Sequence, residues 1–161
     1  MMAGMPTLLI ALAVVSTGLY AGFMLIFLTG VMPGLGRLPD DGFVPAMRRV
    51  NETVPRGVFL LVFAAIVAFP VAALLVPTEG RTTTDRWLIV AALVCSVLNH
   101  LVTVAGNIPL NNALAASESA APPVPDGEVR AAFEARWNRL HLVRTLLVTA
   151  AFALLVAAAV D

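Results

Sequence analysis

The first 36 residues carry no charged side chain. A soluble domain has little use for so long a stretch without charge, whereas a membrane-spanning helix needs roughly 20 apolar residues. Pro6 to Val31 reads as one such span with some excess length. Gly57 to Val76 is a second charge-free run of twenty residues, interrupted only by Pro70. Trp87 to Gly106 is a third, with Trp87 placed as an interface anchor. The fourth is less clean. Its charge-free part, Thr145 to Val160, has sixteen residues, so spanning length must take in His141 and Arg144. The pattern predicts an all-α membrane protein, residues 1–161 forming one domain of four transmembrane helices in a bundle, at about 6–31, 57–76, 87–106 and 139–160. A secretory signal is the rival reading of the first run. It lacks a preceding basic residue and a clear small-residue cleavage site.

Composition supports this class, since 60% of residues are hydrophobic. Ten acidic residues balance ten basic ones, all arginine, which gives no footprint for a nucleic-acid partner. The single Cys95 excludes an intrachain disulfide and a cysteine-cluster metal site. In the connection 32–55, Phe43, Met47 and Val50 recur at helical spacing, which predicts a short amphipathic helix on the membrane surface. Residues 112–127 are rich in Ala, Ser and Pro, and Pro122-Pro123-Val124-Pro125 excludes helix there. Asp126 is placed to cap a helix that continues into the fourth span. The arginines set the expected orientation. Arg37, Arg48, Arg49, Arg56, Arg130, Arg136, Arg139 and Arg144 share one side, against Arg81 and Arg86 on the other. That bias predicts a multi-pass protein of the cell membrane with the long loops cytoplasmic and both termini outside.

Polar residues near the hydrocarbon gather on that same side. Asn51 precedes the second span, and Asn107 and Asn111 end the third around Pro109, which is expected to stop that helix. Trp137, His141 and Arg144 stand at i, i+4 and i+7 on one face of the fourth helix, with Asn138 and Thr145 beside them. Three segments thus bring amides, an imidazole and a guanidinium to one depth, the mouth of a polar pocket. The asparagines either bond carbonyls freed by Pro109 or contact a ligand. Trp137 is either an interface anchor or a stacking surface. Arg144 either snorkels to the interface or meets a buried anion. His141 is either a packed helix residue or the candidate base, its ordinary pKa of roughly 6.5 suiting proton transfer. His100 either faces His141 or bonds a neighbouring helix. Two histidines without a nearby Asp, Glu or Cys make a poor metal set, and no metal or organic cofactor is expected. Gly18 and Gly22 form a small-xxx-small pair suited to helix packing. The spans show no regular polar stripe, so a channel lacks support. A transporter would need to oligomerise, because the chain has no duplicated half.

Four phrases carry a resemblance. They are Met32-Pro33-Gly34-Leu35; Phe43-Val44-Pro45-Ala46-Met47-Arg48-Arg49-Val50-Asn51; Thr103-Val104-Ala105-Gly106-Asn107-Ile108-Pro109-Leu110-Asn111; and Phe133-Glu134-Ala135-Arg136-Trp137 with Arg144-Thr145. Over roughly residues 7–160 the chain resembles a family of small four-helix membrane proteins that includes the fungal anthrone oxygenases. Those enzymes oxidise an anthrone to an anthraquinone with molecular oxygen. The alanine-rich, all-arginine composition resembles an actinobacterial member. The resemblance implies functional roles for Asn51, Asn107, Pro109, Asn111, Trp137, Arg144 and Thr145. Where the family commonly has an aromatic residue and then asparagine before the arginine, this chain has Leu140 and His141.

Two functions from different classes follow. One is a cofactor-independent oxygenase with oxygen as co-substrate, acting on a small apolar aromatic or phenolic molecule. His141 would be its base, with Arg144, Asn107 and Asn111 holding the developing oxyanion. Asn51, Trp137, Asn138, Thr145 and His100 would line the substrate. The other is a noncatalytic membrane protein whose Arg144 meets a lipid headgroup, a quinone or a partner subunit.

Overall fold

The computed structural model describes residues 4–160. The protein is an all-α membrane bundle, with four helices long and apolar enough to cross a membrane. The first runs Gly4–Leu35 and is built from α1 (Gly4–Ile26), a π-helical turn (Phe27–Val31) and the short α2 (Met32–Leu35). Then come α3 (Asp40–Thr53) and α4 (Val58–Leu75). The third long helix, Thr83–Ser119, joins α5 (Thr83–Val102), a second π turn (Thr103–Asn107), α6 (Ile108–Ala116) and a final 3-10 turn (Ser117–Ser119). The fourth, α7, is one unbroken helix, Asp126–Val160. It starts directly after the proline run and carries the fourth span well beyond the sixteen charge-free residues. α1 packs on α4 and α7, and α5 packs on α7 and α4.

Pro109 does not end its helix. The π turn ahead of it lets the backbone widen, and the Ile108 N–H bonds the Thr103 carbonyl five residues back. That extra residue per turn takes up the clash and missing donor that a proline imposes on an α-helix. Pro33 is handled in the same way, with the Met32 N–H bonded to the Phe27 carbonyl. The two π turns lie on different helices and both border the cavity described below.

The amphipathic helix expected in the first connection is α3, but its apolar face turns into the protein. Phe43, Val44 and Met47 are fully buried, packed with Met32, Leu114, Val129, Phe133 and Trp137. An apolar stripe is equally satisfied by lipid or by a protein groove, and here the extended ends of α6 and α7 supply the groove. Burying Phe43 and Met47 contributes roughly 1.5–3 kcal/mol each. Arginines fix α3 at both ends. Arg48 donates to the Leu114 carbonyl at 3.0 Å and to Ser117 Oγ at 2.7 Å. Arg49 pairs with Glu52 and Glu118. Arg130 on α7 reaches Asp40, Glu134 and the carbonyls of Gly36 and Leu38, with its guanidinium over the Phe43 ring. Arg130→Ala should therefore lower stability by about 1 kcal/mol and expose residues 36–40 to protease. Limited proteolysis beside a thermal melt checks both effects. The chain then turns at Gly57, whose φ of 47° suits glycine, and enters α4.

Gly18 does serve close packing, since an added Cβ would sit 2.9 Å from the Phe152 ring, whereas Gly22 has open space around it. A polar stripe along α5 and the second π turn also exists, contrary to the expectation from sequence. Ser96, Asn99, Thr103 and Asn107, at i, i+3, i+7 and i+11, lie on one face, and Ser96, Asn99 and Asn107 are buried.

Candidate functional site: an unpaired arginine in an apolar cavity

A cavity of about 120 Å³ opens between the end of α3 and helices α1, α4, α5–α6 and α7. Its walls are apolar: Met24, Phe27, Val50, Val54, Pro55, Phe59, Leu60, Phe63 and Ile108. Set into them are Asn51, Thr103, Asn107, Asn111, Trp137 and Arg144. Five of the nine residues singled out from the sequence therefore meet around one space. α3 and the second π turn place the amides. The i, i+7 spacing on α7 places Trp137 and Arg144.

Arg144 is 7% exposed, and no acidic side chain pairs with it among the described residues. It is not a snorkelling residue. Its Nε donates to His141 Nδ1 at 3.0 Å, and its guanidinium carbon lies 5.1 Å from the Trp137 ring centre. Two of its three nitrogens have no protein acceptor among the described residues. A buried cation without an anion is expensive to keep.

His141 stands behind the arginine and not on the cavity wall. Arginine has no acceptor, so Nδ1 must accept from Arg144, and Nε2 must carry the proton it donates to the Met24 carbonyl at 3.0 Å. Both ring nitrogens are thereby engaged, and no lone pair faces the cavity. The expected base is corrected on that ground: in this geometry the imidazole holds Arg144 against α1. Trp137 stacks on the other side of it, with ring centres 4.8 Å apart.

Trp137 is 3% exposed and so is not an interface anchor. Its Nε1–H donates to Asn111 Oδ1 at 2.9 Å, and its carbonyl accepts from Asn107 Nδ2 at 3.4 Å. Neither asparagine bonds a carbonyl freed by Pro109. The bond to Trp137 turns Asn107 so that Oδ1, buried and unpartnered, is left over. Asn51 Nδ2 is likewise buried without a partner. One wall thus offers an unused acceptor, another an unused donor, and Arg144 an unused cation. Gly106 lets this wall approach α7, because a Cβ there would lie 2.8 Å from Leu140 Cδ1.

The remaining expected residues lie elsewhere. Thr145 is buried and donates to the His141 carbonyl of its own helix at 2.7 Å. Asn138 borders a separate groove with Met32, Pro33 and Glu134. His100 bonds the Ser96 carbonyl at 2.9 Å and stacks on Phe63, away from His141. Among the described residues, no three His, Cys, Asp or Glu side chains come together as a metal set. Three contributors were missed. Asn99 Nδ2 donates to the Arg144 carbonyl at 2.8 Å, and Thr103 lines the cavity. Tyr20 is fully buried, its hydroxyl has no hydrogen-bond partner among the described residues, and it packs on Phe59 and Phe63. The spacing of Asn99 and Thr103 with Asn107 is a signal that could have found the first two. Nothing in a charge-free span marks Tyr20.

A family model described as anthrone oxygenase matches residues 43–154. That stretch holds most of α3, the second π turn, Trp137 and Arg144. No curated protein and no solved structure matches the chain.

Proposed function

The chain belongs to the anthrone oxygenase family, and from that membership we propose that it is a cofactor-independent oxygenase acting on an apolar phenolic or anthrone-like substrate in this cavity. The observation that carries the reading is the unpaired Arg144, flanked by unused amide groups in an otherwise apolar space. The doubly benzylic C–H of an anthrone is acidic because the electron pair left behind is delocalised through the fused rings onto the carbonyl oxygen across the central ring. Arg144 is placed to stabilise that oxygen as the charge develops. Solvent base takes the first proton, and His141 and Trp137 position the guanidinium. The enolate passes one electron to oxygen, and the two radicals combine to form a C–O bond. The peroxide anion takes a proton. Loss of the second C–H proton with cleavage of the O–O bond leaves a ketone and one water. Substrate CH2 and O2 become C=O and H2O, so atoms and electrons balance. The arginine excess on the α3 side supports long cytoplasmic loops and, with them, a site towards the inner leaflet.

His141 tests this assignment of roles. Asparagine can accept from Arg144 Nε through Oδ1 and donate to the Met24 carbonyl through Nδ2. His141→Asn should then retain turnover of anthrones within about threefold, while His141→Ala loses roughly 10- to 100-fold by releasing the arginine. Aerobic assay of purified protein with a panel of anthrones and hydroquinones, following oxygen uptake and quinone formation, measures both. Equal loss in the two variants would restore His141 as the base. The same unpaired cation supports a second reading, a noncatalytic lipid or quinone site. Retention of a lipid or quinone in native mass spectra, with no oxygen uptake on any substrate, would select it.

A further inference from the structure

The cavity is covered on one side and open on another. Towards the arginine-rich loops it is bordered by the end of α3 and the turn after it, through Val50, Asn51, Val54 and the exposed Pro55. Arg48 and Arg49 tie that helix to the end of α6. Leu60 on α4 and Ile108 on α6 line the cavity yet are 49% and 41% exposed on the outer surface of the bundle. Among the described residues α4 packs along α1 and α5 and forms no packing seam with α6. Leu60 lies in the first turn of a helix long and apolar enough to span. At that depth the outer surface meets acyl chains or the headgroup boundary.

Size gives a second argument. An apolar protein cavity of about 150 Å³ takes one benzene ring, and this one measures about 120 Å³. A fused aromatic seated with one ring near Arg144 must extend its remainder through the opening. That opening is bordered by apolar side chains and suits the body of a bilayer-dissolved molecule.

Resting on the reading of this cavity as a ligand site, we propose that the ligand enters sideways from the bilayer, between α4 and α6, with Leu60 and Ile108 as the posts of the entrance. The class that fits is a flat apolar aromatic with one ionisable hydroxyl. Its neutral form partitions into the membrane, and its anion is held once it reaches Arg144.

The test uses 2-naphthol and the full chain in phosphatidylcholine vesicles, with binding followed by naphthol fluorescence in stopped flow. Leu60→Trp and Ile108→Trp should each slow association and dissociation by about tenfold, whereas Arg48→Ala, outside the cavity, should leave both rates within about threefold. Unchanged rates in both tryptophan variants would overturn the proposal, and faster entry in Arg48→Ala would then place the route under α3. Failure of the wild-type protein to bind 2-naphthol would instead remove the ligand-site reading, and the route with it. A ligand-free arm uses Leu60→Cys in a Cys95→Ala background, labelled with bimane. Quenching by a nitroxide on the lipid chain is the expected result. Quenching only by aqueous iodide would show an entrance facing water and contradict the route.

Discussion

Replacing Arg144 with methionine should remove at least about 100-fold of anthrone turnover, the scale of losing one oxyanion donor, without unfolding the protein. Two effects on stability oppose each other. The variant loses the bond to His141 Nδ1, which leaves a buried acceptor unpaired. It also loses a buried cation that has no acidic partner among the described residues, and methionine fills similar volume at no such desolvation cost. The thermal melt should therefore move little while activity collapses. Arg144→Lys should also fall far, because an ammonium has no planar Nε to bond His141 while aiming two further donors at the cavity. Turnover and melting measured on the same preparations check the separation. Joint loss of folding and activity would recast Arg144 as a structural residue.

The largest effect on stability should come from Trp137→Ala, about 3–5 kcal/mol, as for other large aromatic truncations in cores. This indole sits where three elements meet. It lies in the cluster of α3, α6 and α7, stacks on His141 and Phe133, and donates to Asn111. Trp137→Phe keeps most of the apolar contact and loses the bond to Asn111, costing about 1 kcal/mol. Equilibrium unfolding in mixed detergent micelles would give both values. Near-equal losses would mean that the hydrogen bond, not the packing, holds the junction.

The four spans were legible because burial in lipid leaves one crude signal, the absence of charge over some twenty residues. Helix α3 was legible as a helix from Phe43, Met47 and Val50. Its placement was not, because periodicity says which face is apolar and nothing about what covers it. Pro109 misled for a related reason: a proline marks the lost hydrogen bond, while the π turn that absorbs it depends on how α5–α6 packs against Leu140. The convergence of Asn51, Asn107, Asn111, Trp137 and Arg144 on one depth was readable from spacing and span ends. The role of His141 was not, since the Met24 carbonyl that fixes its tautomer lies 117 positions away in the chain. The stripe Ser96, Asn99, Thr103, Asn107 was visible in the spacing but masked by the apolar residues between. Tyr20 carries no local mark at all.

Arg144 is proposed to stabilise the ionised form of the substrate. Anthrone titrated without oxygen, with its enolate absorbance followed in the presence and absence of excess protein, tests this directly. A cation beside an acid favours the charged base form and so lowers its pKa, by one unit for each 1.4 kcal/mol of differential interaction. Wild-type protein should move the ionisation of anthrone down by about one unit or more, and Arg144→Met should not. An ionisation curve unchanged by wild-type protein, or shifted equally by Arg144→Met, would contradict it.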